Sequence, residues 1–333
     1  SIIGVAPLSF PWQTKDPFLV CVHHVDQYPK GNDRLGPAAT LEGRDIGQDF
    51  AGKDGWRMYH GDVVPGFPQH PHRGFETVTF VREGFIDHSD SLGATARFGR
   101  GDVQWLTAGA GIVHSEMFPL LRPDASNRLE LFQIWVNLPA KSKFAAPYFT
   151  MLWDRDIPRV RPAAGVEVTL VAGALDGAEP PAPPPDSWAA NAEAELAIWL
   201  VTLEAGAKWT LPPAKGARTA RTLYFFSGGK VVIEGRALTK HAAIEVVPDR
   251  PVTLAAPDSK VEVLLMQGRP IGEPVAQYGP FVMNTRAELQ QAFNDYQRTQ
   301  FGGWPFQAND PVHPRERGRF ARHADGRLED APT

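Results

Sequence analysis

The stretch HPHRGFETVTFVREG, residues 70–84, places two histidines one residue apart at the start of an apolar run. Its second part predicts a β-strand that ends at Gly84, because β-branched and aromatic residues followed by glycine are typical of a strand and its turn. Residues i and i+2 of a strand point to the same side, so His70 and His72 should face one way. Such a pair is a polar strand edge, a core pair bonded to backbone carbonyls, or half of a metal site.

Short β runs that end in turns extend this pattern in both directions. FIDHSDSLG (85–93) predicts a hairpin that turns near Asp90–Gly93, and LELFQIWVNLP (129–139) predicts a strand buried on both faces. A break at 139–148 precedes a second β series that ends with KVEVLLMQG (260–268). A chain of 333 residues suits two domains. We therefore predict an all-β protein with domains at 1–140 and 141–300 and an extension at 301–333.

One helix is predicted within the second domain, at about residues 285–300. Thr285 and Glu288 match a capping box, and Leu289, Ala292, Phe293 and Tyr296 recur on one face at helical spacing. In the extension that follows, arginines are nearly balanced by acidic residues. We expect the extension to pack on its own or a neighbouring subunit rather than to bind nucleic acid.

Composition narrows the class of protein. The formal net charge of −4 argues against a general nucleic-acid binder, which needs a basic face. No run approaches the ~18 apolar residues of a membrane-spanning helix. The start of the chain has no signal-peptide pattern, so a cytoplasmic location is expected. Cys21 is a single cysteine between apolar residues and is interpreted as an inert core thiol.

A second pair with the same spacing occurs in GIVHSEMF (111–118), where His114 and Glu116 share a face. The hairpins between the two pairs can fold one strand back beside the other. Three imidazoles and one carboxylate suit Fe(II), Mn, Co, Ni, Cu or Zn and do not suit calcium. A single histidine would most simply be a structural residue of the core or the surface. Here three of the ten histidines lie in two such pairs, and the remaining seven form no such group. The density of ligand types therefore favours a metal site.

These residues carry a resemblance to a known family. HPHRGFETVTFVREG, HSDSLGATARFGRGDVQWLTAGAGIVHSEMF (88–118) and YGPFVMNTRAEL (278–289) resemble the pirin family of the cupin superfamily. The resemblance covers residues 1 to about 300. It implies a bicupin, with two tandem β-barrels of the jelly-roll type, a short C-terminal helix and a tail.

The resemblance also implies a ligand set. One iron ion would lie in the N-terminal barrel, bound by His70, His72, His114 and Glu116. The general cupin pattern takes its acid from the first motif, where Glu76 stands, whereas pirins take it from the second. We therefore place Glu76 behind the ligands or on a polar strand edge. The second barrel is expected to hold no metal.

Two functions are compatible with this ligand set. Pirin-like relatives include quercetin 2,3-dioxygenases, which open a flavonol ring with O2 and release carbon monoxide. In that reading Glu116 is the general base and the partners are O2 and a flat aromatic substrate. Phe75, Trp105, Met117 and Phe118 either line a slot for the flat ring or fill the barrel core. The alternative is a non-catalytic iron or redox sensor that binds a transcription factor or a metabolic enzyme.

Overall fold

The computed structural model describes residues 1–216 and 218–332. The chain folds into two compact units. The smaller unit consists of Ser1–Cys21 and Arg155–Gly272, and the larger unit consists of Val22–Asp154 and Glu273–Thr333. This division differs from the expected domains at 1–140 and 141–300. The first residues of the chain belong with the C-terminal β series, and the helix and the extension belong with the histidine pairs.

The described residues form mainly β-strands. The first twelve strands are β1 (Ile2–Pro7), β2 (Phe18–Tyr28), β3 (Gly66–His72), β4 (Phe75–Glu83), β5 (Phe85–Asp90), β6 (Thr95–Gly99), β7 (Val103–Thr107), β8 (Ile112–Met117), β9 (Asn127–Asn137), β10 (Tyr148–Leu152), β11 (Arg159–Ala163) and β12 (Val166–Ala172). The next are β13 (Ala197–Leu203), β14 (Lys208–Leu211), β15 (Ala220–Ser227), β16 (Val231–Ile233), β17 (Arg236–Leu238), β18 (Ala242–Val246), β19 (Val252–Ala255), β20 (Val261–Gly268), β21 (Ala276–Tyr278), β22 (Phe281–Met283), β23 (Phe320–Arg322) and β24 (Leu328–Asp330). The α-helix is α1 (Arg286–Thr299), and short 3-10 helices span Lys53–Gly55, Ala140–Ser142, Asp154–Asp156, Trp188–Ala190, Ala192–Ala194 and Gln300–Gly302.

The smaller unit is built from two sheets around one core. The larger sheet has the order β1-β18-β15-β20-β13-β12-β11, and the other has the order β14-β19-β16-β17. Alternate residues of both sheets, such as Val201 and Leu203 on β13 and Val252 and Leu254 on β19, meet in one apolar cluster. This alternation is what two sheets packed face to face require. β1 belongs here because it pairs antiparallel with β18.

The larger unit repeats this architecture with the orders β10-β7-β4-β9-β2 and β24-β23-β6-β5-β8-β3. Val81, Leu106 and Leu131 from the first sheet share a core cluster with Ile86 and Phe98 from the second. The strand alternation therefore defines an inner face of each sheet. The all-β prediction is confirmed, as is the β5–β6 hairpin predicted from FIDHSDSLG.

The predicted helix is also confirmed, although it belongs to the larger unit. Thr285 accepts from the Glu288 backbone N–H, and the Glu288 carboxylate accepts from that of Thr285, which completes the capping box. Leu289 and Ala292 pack with Phe281 of β22. Among the described residues, no helix is long and apolar enough to cross a membrane.

The C-terminal extension packs on the larger unit rather than standing free. β23 pairs antiparallel with β6 and so adds itself and β24 to one edge of the six-stranded sheet. At the opposite edge the backbone N–H of Gln69 on β3 donates to the carbonyl of Asn309 at 2.7 Å. Between these points Arg97 donates to the carbonyls of His313 and Pro314. The extension therefore crosses the outer side of the strands that carry the histidine pairs.

Candidate metal centre

Antiparallel pairing of β3 and β8 brings the two sequence pairs together. His70 lies directly opposite His114, and His72 lies opposite Ile112. One ring nitrogen from each of His70, His72 and His114 falls within 4.8 Å of the other two. His72 and His114 are buried, whereas His70 is half-buried. The three rings therefore converge at one point, and His70 is the most exposed of the three.

Backbone carbonyls fix the orientation of two of these rings. The Nδ1 of His70 donates to the carbonyl of Pro68 at 2.8 Å, and that of His72 donates to the carbonyl of Pro280 at 3.3 Å. A carbonyl oxygen can only accept, so each Nδ1 must carry the proton. The lone pair of each ring is then on Nε2, as a metal ligand requires.

His114 has no such anchor. Among the described residues neither of its ring nitrogens has a hydrogen-bond partner, although the side chain is completely buried. A buried polar atom that makes no hydrogen bond is costly. A metal ion held between the three rings would provide the partner of one of these two nitrogens, so the residues present fit a bound cation.

Burial also keeps the imidazoles neutral. It lowers the pKa of His70 to about 4 and holds the pKa values of His72 and His114 well below the usual range for histidine. At neutral pH all three rings therefore present free lone pairs rather than positive charge. This donor set suits a transition metal.

Glu116 lies beside the histidines and is held by two polar side chains. Its Oε2 is 3.9 Å from the Nε2 of His114. The Gln133 side-chain amide donates to Oε2 at 3.1 Å. The Thr79 hydroxyl lies 3.3 Å from Oε1 and donates to the Gln133 carbonyl oxygen at 2.6 Å. Burial raises the pKa of the Glu116 carboxyl above its usual value. A nearby cation would favour the charged form instead.

Glu76 lies on the other side of β4. Thr79 reaches Glu116, so strand alternation turns Glu76, three positions earlier, toward the outer face. There its carboxylate accepts from Thr107 at 2.7 Å, and the side chain is completely buried. The structure thus places Glu116, and not Glu76, beside His114.

Aromatic rings surround the histidines on two sides. Trp135 lies with its ring centroid 5.4 Å from that of His72 and 4.3 Å from that of Phe75. On the side of His70, the ring of Phe67 lies at 6.3 Å. These contacts are compatible with the expectation that Phe75 lines a slot for a flat ring.

Two of the other residues considered for a slot have side chains that point away from the histidines. Trp105 pairs with Val78, which alternates with Thr77 and Thr79, so its side chain leaves the inner face. Met117 packs with Leu35 on the outer side of β8. Phe118 contacts Phe67 at 6.0 Å between ring centroids and so reaches the site indirectly.

The sequence reasoning missed several residues at the site. Thr79, Gln133 and Trp135 contact the predicted ligands, and His88 lies with its ring 5.6 Å from that of His114. His88 is completely buried and bonds to Asp90 at 3.1 Å. The sequence contains one signal for such a contact, since the polar Gln133 interrupts the apolar run LELFQIWVNLP.

Comparisons with known proteins identify similar sequences along both halves of the chain. The pirin family model matches residues 44–136, and the model of the pirin C-terminal cupin domain matches residues 198–302. A pirin-like protein of Caulobacter vibrioides is 39% identical over 248 residues, which cover 72% of this chain and 82% of that protein. Human pirin is 34% identical over 249 residues, which cover 73% of this chain and 80% of that protein.

A solved structure extends the likeness to nearly the whole fold. The crystal structure of quercetin 2,3-dioxygenase from Acinetobacter baumannii superposes with a TM-score of 0.71 at 27% identity, covering 91% of this chain and 98% of that chain. The larger unit and the smaller unit thus correspond to the two cupin domains of a bicupin. The chain belongs to the pirin family.

Proposed function

We propose that this protein is a metal-dependent dioxygenase that opens a flavonol such as quercetin with O2 and releases carbon monoxide. The observation that carries the proposal is the convergence of three neutral imidazoles, two of them buried and one half-buried, beside the Glu116 carboxylate. His70, His72, His114 and Glu116 would hold one transition-metal ion, with Fe(II) as the proposed metal. When bound, that ion supplies Lewis-acid and redox chemistry to the substrate and O2.

Glu116 is proposed as the general base. The flavonol carries an acidic 3-hydroxyl group, and ring opening begins from its deprotonated form. Burial raises the pKa of Glu116, so a carboxylate freed from a cation at this position is a better proton acceptor than an exposed one. The proton of the 3-hydroxyl would move to a Glu116 carboxylate oxygen while Thr79 and Gln133 hold the group in place.

The aromatic side chains give the substrate its place. Trp135 and Phe75 lie on the His72 side, and Phe67 lies on the His70 side. A flat flavonol can stack on such rings, and their apolar surfaces exclude water from the reacting atoms. The half-buried His70 marks the side from which the substrate enters. The relative from Acinetobacter baumannii bears the name of this activity.

An aerobic assay tests the proposal. The protein is loaded separately with Fe(II), Mn, Co, Ni or Cu and incubated with quercetin. We expect the flavonol absorption band to disappear with O2 uptake and carbon monoxide release. Absence of turnover with every metal, in protein shown to contain the metal, would overturn the proposal and favour the iron or redox sensor.

A further inference from the structure

A cavity in the larger unit lies apart from the histidines. It has a volume of about 250 Å³ and is lined by the turn that follows β4, by Arg100, and by the chain that joins β8 to β9. None of the proposed ligands His70, His72, His114 and Glu116 lines it. Its volume is below the usual range for drug-sized ligands, so it suits a small molecule.

Arginine side chains dominate the charge of this cavity. Arg82, Arg100, Arg122 and Arg128 line it, and Glu83 is the acid among the lining residues. Two of these arginines are already neutralised. Arg82 and Arg128 both form ion pairs with Glu130, and Arg128 also pairs with Glu83.

The other two arginines have no carboxylate partner among the described residues. Arg100 and Arg122 are both exposed, and neither takes part in an ion pair there. Two unpaired guanidinium groups at one cavity create a positive potential within it. Guanidinium groups bind carboxylate and phosphate oxygens through paired, charge-assisted hydrogen bonds.

The backbone of Arg100 is held in an unusual conformation. Its φ is +55°, in the left-handed region that costs a residue with a side chain about 1 kcal/mol or more. The guanidinium lies over the Phe85 ring at 4.9 Å from the ring centre, and Phe85 also lines the cavity. The φ of Arg100 is that of the tight turn between β6 and β7, and this turn places the guanidinium at the cavity wall.

The floor of the cavity is apolar. Tyr28, Phe118 and Leu129 are buried and line it together with Phe85. A ligand that fills the cavity would therefore place an apolar or aromatic body on these side chains. Its negative group would meet Arg100 and Arg122 at the exposed side.

We infer that this cavity binds a small organic oxyanion, in which a carboxylate or a phosphate monoester is attached to an aromatic body. Arg100 and Arg122 bind the oxyanion, and Phe85, Phe118 and Leu129 contact the body. This site is distinct from the metal centre, because none of the four proposed metal ligands lines it.

Calorimetric titration of the full chain tests the inference with three probes. Phenyl phosphate and benzoate carry the two possible oxyanions on the same aromatic ring, and inorganic phosphate carries no ring. We expect saturable binding of phenyl phosphate or benzoate, and the tighter of the two identifies the oxyanion. The double variant Arg100→Ala/Arg122→Ala should weaken that binding by about tenfold or more.

Two controls separate this site from other sites. Arg236→Ala removes an exposed arginine of the smaller unit and should leave binding unchanged. Arg100→Lys keeps the charge, removes the planar fork and should weaken binding in part, even if the double variant fails to fold. The inference is overturned if neither aromatic probe binds saturably, if the arginine variants bind as tightly as the parent protein, or if inorganic phosphate binds as tightly as phenyl phosphate.

Discussion

At the scale of single residues, strand alternation separates the two acids that the motifs offer. Glu116 shares its face with His114, whereas Glu76 faces the opposite side of β4 and bonds to Thr107. The sequence predicted which side chains share a face within each pair, because both pairs have i, i+2 spacing. The sequence did not predict which face of β4 carries Glu76, because a strand buried on both faces shows no alternation of polar and apolar residues. The same lack of contrast hid the orientations of Trp105 and Met117.

Substitution of the two acids tests these assignments. Glu116→Gln keeps the shape of the side chain and removes its charge and basicity. We expect it to retain some metal through the three histidines and to lose turnover by about 100-fold or more. Glu76→Gln is the matched control, and its loss of turnover should be smaller. Steady-state rates per bound metal decide the question: an inactive Glu76 variant beside a fully active Glu116 variant would mean that the wrong acid has been assigned.

A buried histidine outside the metal centre makes stability depend on pH. The Nδ1 of His24 donates to the Tyr59 hydroxyl at 2.8 Å, since that hydroxyl donates to Asp26 at 2.6 Å. Burial, together with the charge of Arg57, lowers the pKa of His24 to about 3. Between pH 3 and about 6.5 the unfolded chain therefore binds a proton at this residue that the folded protein does not.

The free energy of unfolding should therefore fall as the pH drops through this window. His24 alone contributes a slope of at most about 1.4 kcal/mol per pH unit. His24→Gln can still donate to Tyr59 but does not titrate, so its slope should be smaller. Denaturant unfolding at pH 5, 6 and 7 measures the difference, and equal slopes for the two proteins would contradict the assignment.

At the scale of elements, the C-terminal extension is part of the sheet that carries the histidines. β23 pairs with β6, Arg97 donates to carbonyls of the extension, and Val312 packs with Met117 on the outer side of β8. The Arg97 side chain is completely buried and forms an ion pair with Asp87 at 2.7 Å. Removal of the extension would uncover this pair and the outer side of the strands.

Truncation after Gly303 should therefore lower the melting temperature by roughly 5–10 °C, from the loss of a few kcal/mol. The metal content should remain, because the proposed ligands come from β3 and β8. Arg322→Ala, on the exposed side of β23, is a control with little expected effect. An unchanged melting temperature would contradict this role, as would tight, salt-dependent DNA binding that the truncation abolishes.

Local signals predicted elements better than their partners. The capping box at Thr285 and the turn after Asp90 fixed one helix and one hairpin, because both depend on residues close in sequence. β23 has three residues, and its pairing with β6 joins positions more than 200 residues apart. β1 likewise pairs with β18, far along the chain. Such long-range pairing leaves no local pattern in the sequence. The expected domain 1–140 therefore included β1, which the structure places in the smaller unit.

At the scale of the whole molecule, the two units have the same architecture but different inner faces. In the larger unit, polar residues such as Thr79, His114 and Gln133 interrupt the inner face. In the smaller unit, the corresponding cluster is apolar, as with Val201, Leu223 and Val263. His241 lies exposed there and bonds to the carbonyl of Gly228. We therefore expect a single metal site per chain.

Elemental analysis of the purified protein tests this central claim most directly. We expect one equivalent of transition metal per chain. His70→Ala and His114→Ala should each lose most of it while the β-sheet circular dichroism is retained, since both cores remain intact. His241→Ala is the matched control and should keep the full equivalent. Two tightly bound equivalents per chain, or a metal that the His70 and His114 variants retain and the His241 variant loses, would contradict the account.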